Sequence, residues 1–112
     1  MKVALIGSGG LPIGYLGQYL PENTTEIITG DMKSIEISVL DYAIPNRVKF
    51  TFITPEQDIK EYSALLEHCQ TLIRDADLVL VFSDGILGET KYVIDNFRKS
   101  GVNLRVYTPT FR

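Results

Sequence analysis

The sequence has little of what several classes of protein require. It contains one cysteine, Cys69, so no disulfide can form within the chain and no cysteine-based metal cluster can be assembled from it. Its 11 Lys and Arg residues are outnumbered by 14 Asp and Glu residues, whereas proteins that bind DNA or RNA usually carry a basic surface. We therefore expect a reducing compartment, the cytoplasm, with no bound metal and no nucleic acid as a partner.

Long apolar runs are also lacking near the start of the chain. Residues 3–6 are apolar, but four residues are far fewer than a signal-peptide core or a membrane span needs. Overall, 45% of the residues are hydrophobic and 22% are charged, which is typical of globular proteins and not of disordered ones. We expect no membrane association, and at 112 residues we predict a single domain over 1–112.

Apolar or β-branched segments alternate with helical patterns along the chain. Strands are predicted at residues 3–6, 25–29, 48–53, 78–82 and 104–107. Helices are predicted at residues 11–20, 34–44 and 54–74, and around Val93, Ile94 and Phe97 until Gly101. This alternation implies right-handed crossovers, so the sequence predicts a three-layer Rossmann-like α/β fold with a five-stranded, mainly parallel sheet flanked by helices.

A glycine-rich turn follows the first predicted strand. Because ligands of open parallel sheets bind beyond the carboxyl ends of the strands, Gly7, Ser8 and Gly9 are candidate binding residues. Their backbone N–H groups can approach an anion closely, and a helix starting there would add its positive end. Pro12 stands where a dinucleotide fingerprint has its third glycine, so we expect no NAD and no other cofactor. The alternative is that the glycines only permit a tight turn.

The second predicted strand is followed by another group of polar residues. Asp31 offers a carboxylate to ribose hydroxyls, Lys33 a charge to phosphate and Ser34 a hydroxyl, next to Gly30. An ordinary capped helix start explains the same residues equally well.

The turn after the fourth predicted strand is the third candidate. It contains Asp84, Gly85, Gly88, Glu89 and Thr90 directly before a helix, where an anion can bind. In the plainer interpretation, Gly85 forms a turn and Thr90 caps the helix.

The residues of these turns resemble those of the SLOG superfamily, the DprA/LOG-like Rossmannoid proteins, especially its small stand-alone members related to the YspA group. The likeness spans nearly the whole chain, and it is carried by Ile6-Gly7-Ser8, Thr29-Gly30-Asp31, and residues 76–82 leading into Asp84-Gly85 and Gly88-Glu89-Thr90. In such proteins the turn after the fourth strand forms part of a pocket for nucleotides or nucleotide-derived ligands. The resemblance therefore implies a nucleotide-like ligand at Gly85, Gly88 and Thr90.

Three functions are compatible with this sequence. The first is a module that binds a nucleotide or nucleotide derivative at the carboxyl edge of the sheet, with no catalytic residue assigned. The second is a LOG-like phosphoribohydrolase that cleaves the N-glycosidic bond of a nucleoside monophosphate, with Glu89, Asp84 or Asp31 assisting the leaving base. LOG-type enzymes carry a proline-glycine-glycine-x-glycine-threonine segment, which residues 86–90 do not match. The third is a structural subunit, and a homodimer or higher oligomer is compatible with any of them.

His68 and Cys69 are adjacent in the third predicted helix. Because neighbouring helical residues do not face each other, they do not form a thiolate and base pair. We predict that Cys69 packs in the core and that His68 is a flanking surface residue.

Overall fold

A computed structural model of the chain describes residues 1–7, 13–30, 33–54, 62–83 and 88–108, and of residues 33, 34, 62, 88 and 89 it describes the backbone alone. The strands in this part of the chain are β1 (Lys2–Gly7), β2 (Glu26–Gly30), β3 (Lys49–Ile53), β4 (Leu78–Phe82) and β5 (Leu104–Tyr107). The α-helices there are α1 (Lys33–Asn46), α2 (Tyr62–Ile73) and α3 (Gly88–Lys99). None of the described helices is both long enough and apolar enough to cross a membrane.

The strands form one sheet in the order β3-β2-β1-β4-β5, and every neighbouring pair is parallel. The chain passes outward from β1 to β2 and β3, and then returns to the other side of β1 for β4 and β5. This is the Rossmann-like α/β arrangement that the alternation of strands and helices predicted, so the predicted fold class is confirmed.

Two apolar layers cover the sheet because successive strand residues point to opposite faces. On one face α1 packs through Ile35, Val39 and Ala43 onto alternate residues of β1, β2 and β4. On the other face, α2 and α3 pack through a second set of buried residues, which includes Cys69, Leu72, Val93, Ile94 and Phe97. All residues of β4 are buried, as its unbroken apolar run predicted for a central strand.

The helix predicted at residues 11–20 is wrong over residues 13–20. That part of the chain contains only a short 3₁₀ turn, Leu16–Gln18. Gly14 has a φ of 69°, in the left-handed region, which interrupts a right-handed helix. A helix dipole directly after β1 is therefore not available from residues 13–20.

The end of α1 also differs from the prediction. Pro45 was expected to stop the helix, but it lies inside the last turn, and the helix continues to Asn46. The chain leaves the helix through Arg47, whose φ is 57°, while the Val48 N–H donates to the Ala43 carbonyl at 3.0 Å. This is the Schellman arrangement with arginine in the place usually taken by glycine.

The other helix ends agree more closely with the sequence. Gly101, with a φ of 73°, ends α3 in the same way, since the Val102 N–H donates to the Phe97 carbonyl at 3.1 Å. The predicted start of α2 at residues 54–56 falls almost entirely on residues 55–61, which lie outside the described residues.

Candidate functional site

The register of the sheet brings the ends of three strands to one edge. The Cα of Gly7, the last residue of β1, pairs with that of Phe82, the last residue of β4. On the other side of β1, Leu5 pairs with Thr29, so Gly30 at the end of β2 follows one residue later. Helices α1 and α3 begin shortly after the ends of β2 and β4, at the same edge. The three strands that precede the predicted ligand-binding turns therefore end side by side.

This edge contains the topological switch point of the sheet. The connection from β1 leads to β2 on one side, and the strand that follows β3 is placed on the other side of β1. In open parallel sheets the chains that leave two such strands diverge, which opens a crevice between them. The crevice expected for this fold therefore lies above the ends of β1 and β4.

Only part of the predicted site is described. Gly7 and Gly30 are the last residues of β1 and β2, whereas Gly88 and Thr90 belong to the first turn of α3. The backbone of Lys33, Ser34 and Glu89 lies in the first turns of α1 and α3, but their side chains are outside the described part. Outside the described residues altogether lie Ser8, Gly9, Asp31, Asp84 and Gly85.

Gly7 is tightly covered by the start of α1. A Cβ at this position would lie 2.6 Å from Cδ1 of Ile35, a buried residue in the first turn of α1. Such a distance is too short for two carbon atoms in contact. A side chain at position 7 would therefore force Ile35 to shift, so helix packing favours glycine there independently of any ligand. The same packing holds the start of α1 against the end of β1.

Gly30 is covered from the opposite face of the sheet. A Cβ on Gly30 would lie 3.2 Å from Nε2 of His68 and 3.7 Å from Cδ1 of Leu72, both in α2. The imidazole of His68 therefore lies against the carboxyl end of β2. Burial lowers the pKa of His68 below its ordinary value.

His68 is the residue of this edge that the sequence analysis missed. It was predicted to be a flanking surface residue, but it is only partly exposed and points to the sheet. The signal was its spacing: His68 lies four residues before the buried Leu72, and residues four apart share one face of a helix.

Two buried hydroxyl residues lie at the same edge. Ser83 directly follows β4, and its N–H donates to the Tyr107 carbonyl at 2.8 Å, so it continues the pleat by one residue. It consequently lies on the face of Val81, toward α2 and α3. Thr90, in the first turn of α3, is 5% exposed. Polar residues in this buried position are unusual beside a strand as apolar as β4.

At the opposite edge of the sheet, where the strands begin, charged and polar side chains contact one another; we call this the amino edge. The carboxylate of Glu26 lies 3.5 Å from the ammonium groups of both Lys2 and Lys49. The backbone N–H of Lys2 donates to Oδ2 of Asp77 at 2.8 Å, and the Asn103 side chain donates to the Asp77 carbonyl at 3.0 Å. Both carboxylates described at the amino edge, Glu26 and Asp77, thus have partners within the protein.

Cys69 is packed in the core, as predicted, and it is 2% exposed. Burial raises the pKa of its thiol to about 12, so the thiolate needed for nucleophilic or metal chemistry is disfavoured. Within the described ranges, His, Cys, Asp and Glu side chains form no group of three or more that could hold a metal ion.

No protein-family model, curated protein or solved structure matches the chain. The resemblance to the SLOG superfamily therefore stays a prediction that rests on the residues of the turns.

Proposed function

We propose that this chain binds a nucleotide or a nucleotide derivative at the carboxyl edge of its sheet, as the resemblance to SLOG proteins implies. The observation that carries this proposal is the register of β1 with β4, which places Gly7 beside Phe82 at the switch point. Two of the three predicted turns follow β1 and β4 in the sequence, and the third follows β2, the neighbour of β1.

The edge combines features that suit a phosphate-bearing ligand. Helices α1 and α3 both begin there, and helix starts commonly bind anions because the first N–H groups of a helix have no carbonyl partner within the helix itself. Because the intervening residues are few, both helix starts lie close to the ends of β2 and β4. The positive ends of two helix dipoles then favour a negatively charged group near the switch point.

Thr90 contributes a hydroxyl to the same place. It lies in the first turn of α3, and it is nearly buried, so a ligand that reaches it is largely removed from water. A hydrogen bond made to a charged phosphate in such surroundings contributes about 1.5 to 3 kcal/mol. We therefore expect Thr90 to affect ligand affinity rather than the fold alone.

The proposal is tested by measuring binding and thermal stabilisation with nucleoside mono-, di- and triphosphates, nucleotide sugars and cyclic dinucleotides. We expect at least one of them to bind with a Kd below about 1 mM. At a free concentration of about 100 times Kd, a ligand that binds only the folded state adds about 2.7 kcal/mol to the free energy of unfolding. If no ligand of the panel binds or raises Tm, the proposal is wrong.

Thr90→Val and Thr24→Val form a matched pair of variants. Both threonines are almost buried, but Thr24 precedes β2 at the amino edge, where its hydroxyl donates to the Pro21 carbonyl at 2.7 Å. We expect Thr90→Val to weaken binding by about tenfold or more and Thr24→Val to bind as the wild type does. Equal losses in both variants would indicate a general effect on folding and contradict the proposed site.

Incubation of the same ligands with the protein also tests the phosphoribohydrolase alternative. Release of a free base from a nucleoside monophosphate would show turnover, whereas intact ligands are expected from a binding module.

A further inference from the structure

His68 lies at the edge of the proposed site without being among the residues that suggested it. Its Nε2 is 3.2 Å from the point that a Cβ of Gly30 would occupy, so the absence of a side chain at position 30 makes room for the imidazole. Gly30 and Ser83 both point toward the face covered by α2 and α3. The imidazole therefore lies on the same side of the sheet as Ser83 and Thr90.

The chemistry of the ring in this position is that of a neutral donor and acceptor. The ring is partly buried, and burial lowers the pKa of His68, so the uncharged form dominates at neutral pH. A neutral imidazole has one N–H donor and one nitrogen acceptor. Among the residues that the structure describes, neither nitrogen has a hydrogen-bond partner. A ligand group that reaches the ring would supply such a partner.

The position along the edge indicates which part of a nucleotide reaches His68. The starts of α1 and α3 favour the negatively charged phosphate, whereas the neutral ring of His68 lacks the charge to compete with them. A sugar hydroxyl both donates and accepts, so it matches a neutral imidazole. Strand β2 lies next to β1, about 5 Å away, so the sugar of a nucleotide whose phosphate lies above the end of β1 can reach the end of β2.

We infer that His68 is a specificity-determining contact that recognises a hydroxyl group of the ligand's sugar at the carboxyl end of β2. This inference rests on the proposed function, because it assigns a ligand group to a residue of the same site. It predicts that the protein distinguishes ribonucleotides from analogues that lack the sugar hydroxyls, and that this distinction depends on the side chain at position 68.

The test compares the affinities of the four ribonucleoside 5′-monophosphates with those of their 2′,3′-dideoxy counterparts. For the wild type we expect at least one ribonucleotide to bind about tenfold more tightly than its dideoxy counterpart, the effect of a hydrogen bond lost from a partly buried site. His68→Phe should remove this preference and His68→Gln, which keeps a donor and an acceptor, should restore part of it. Glu67→Gln, a neighbouring change at an exposed position of α2, should leave the preference unchanged.

The possible results separate this inference from the proposed function. If the wild type binds ribonucleotides and dideoxynucleotides equally, or if His68→Phe and His68→Ala retain the preference, nucleotide binding stands and the role of His68 is wrong. If the wild type binds none of these ligands, the role of His68 is wrong, whereas the proposed function fails only if the whole nucleotide panel fails to bind. A measurement on the unmodified side chain avoids the risk of an unfolded variant: the ¹⁵N resonances of the His68 ring should shift on addition of the ribonucleotide, and inorganic phosphate should leave them in place. Ring resonances that do not respond to a bound ribonucleotide would overturn the inference.

Discussion

The contact between Gly7 and Ile35 is the packing detail that fixes the start of α1 against the end of β1. In Gly7→Ala, the new methyl group would lie 2.6 Å from Cδ1 of Ile35, whereas ordinary contacts begin near 3.4 Å. The isoleucine is 1% exposed, so its side chain can yield only by adopting a less favourable rotamer or by moving α1. Overpacking of this kind costs about 1 to 3 kcal/mol, and the lower entropy of an unfolded chain with alanine offsets about 0.4 to 1 kcal/mol of it. We expect a net loss of about 1 kcal/mol.

A second substitution tests whether this contact is the cause. Ile35→Val removes Cδ1, and alone it should cost about 1 kcal/mol. In the double variant the alanine methyl occupies the space that Cδ1 has left, so Gly7→Ala should cost almost nothing in the Ile35→Val background. Urea denaturation of the four proteins gives the coupling free energy, which we expect to be about 1 kcal/mol in favour of the double variant.

The control is the same cycle with Gly30→Ala, because Gly30 contacts α2 and not Ile35. That cycle should be additive within about 0.5 kcal/mol. Additive behaviour of Gly7→Ala and Ile35→Val would refute the packing explanation, and a glycine at position 7 would then have to be explained by the turn or by a ligand.

Three further predictions concern single residues. Cys69, with a pKa of about 12, should be a thiolate in about one molecule in 10,000 at pH 8. A disulfide reagent should therefore leave the native protein unmodified and modify one thiol per chain after unfolding. Prompt reaction of the native state would contradict the burial of Cys69. Folding lowers the pKa of His68, so as the pH falls the unfolded chain takes up a proton before the folded chain does. The free energy of unfolding should therefore decrease as the pH falls below about 6.5. Denaturation at a series of pH values should show a weaker pH dependence for His68→Gln, and an unchanged dependence would contradict the lowered pKa. Phe82→Ala should cost about 3 to 5 kcal/mol, because Phe82 is 0% exposed and packs edge-on against Tyr19 at a centroid distance of 5.0 Å; a loss under 1 kcal/mol in urea denaturation would contradict this packing.

The sheet was predictable because the sequence pattern reflects burial directly. Residues 78–82 are five consecutive apolar residues, and a strand buried on both faces is the arrangement that such a run favours next to polar neighbours. Right-handed connections then account for α1 on one face and α2 and α3 on the other, but the order of the strands was not predicted. Glycine at position 101 was likewise a sufficient signal for the end of α3.

Local backbone conformations were less predictable. The apolar residues between β1 and β2 were compatible with a helix, and the left-handed conformation of Gly14 that prevents it depends on how this segment packs under α1. The side chain of Ser38 in α1 donates to the Gly14 carbonyl at 3.2 Å, a contact between distant parts of the chain that no local pattern contains. Pro45 failed as a stop signal for a related reason, since the Schellman turn at Arg47 determines where α1 ends.

The candidate site was predictable as a place but not as a set of contacts. The rule that ligands bind beyond the carboxyl ends of parallel strands located Gly7, Gly30 and Thr90 at one edge. The interaction between Gly30 and His68 could not be predicted, because it joins residues 38 positions apart through the docking of α2 on the sheet. The contact of Gly7 with Ile35 could not be predicted either, because Ile35 belongs to a helix that follows a different strand.

The location of the ligand at the carboxyl edge is tested most directly by amide-resolved NMR during titration with the tightest ligand of the nucleotide panel. We expect the largest chemical-shift changes at the amides of Gly7, Gly30, Ser83 and Thr90, and little change at those of Lys2 and Lys49 on the opposite edge. Changes concentrated at the amino edge, or spread evenly over the sheet, would contradict the proposed site.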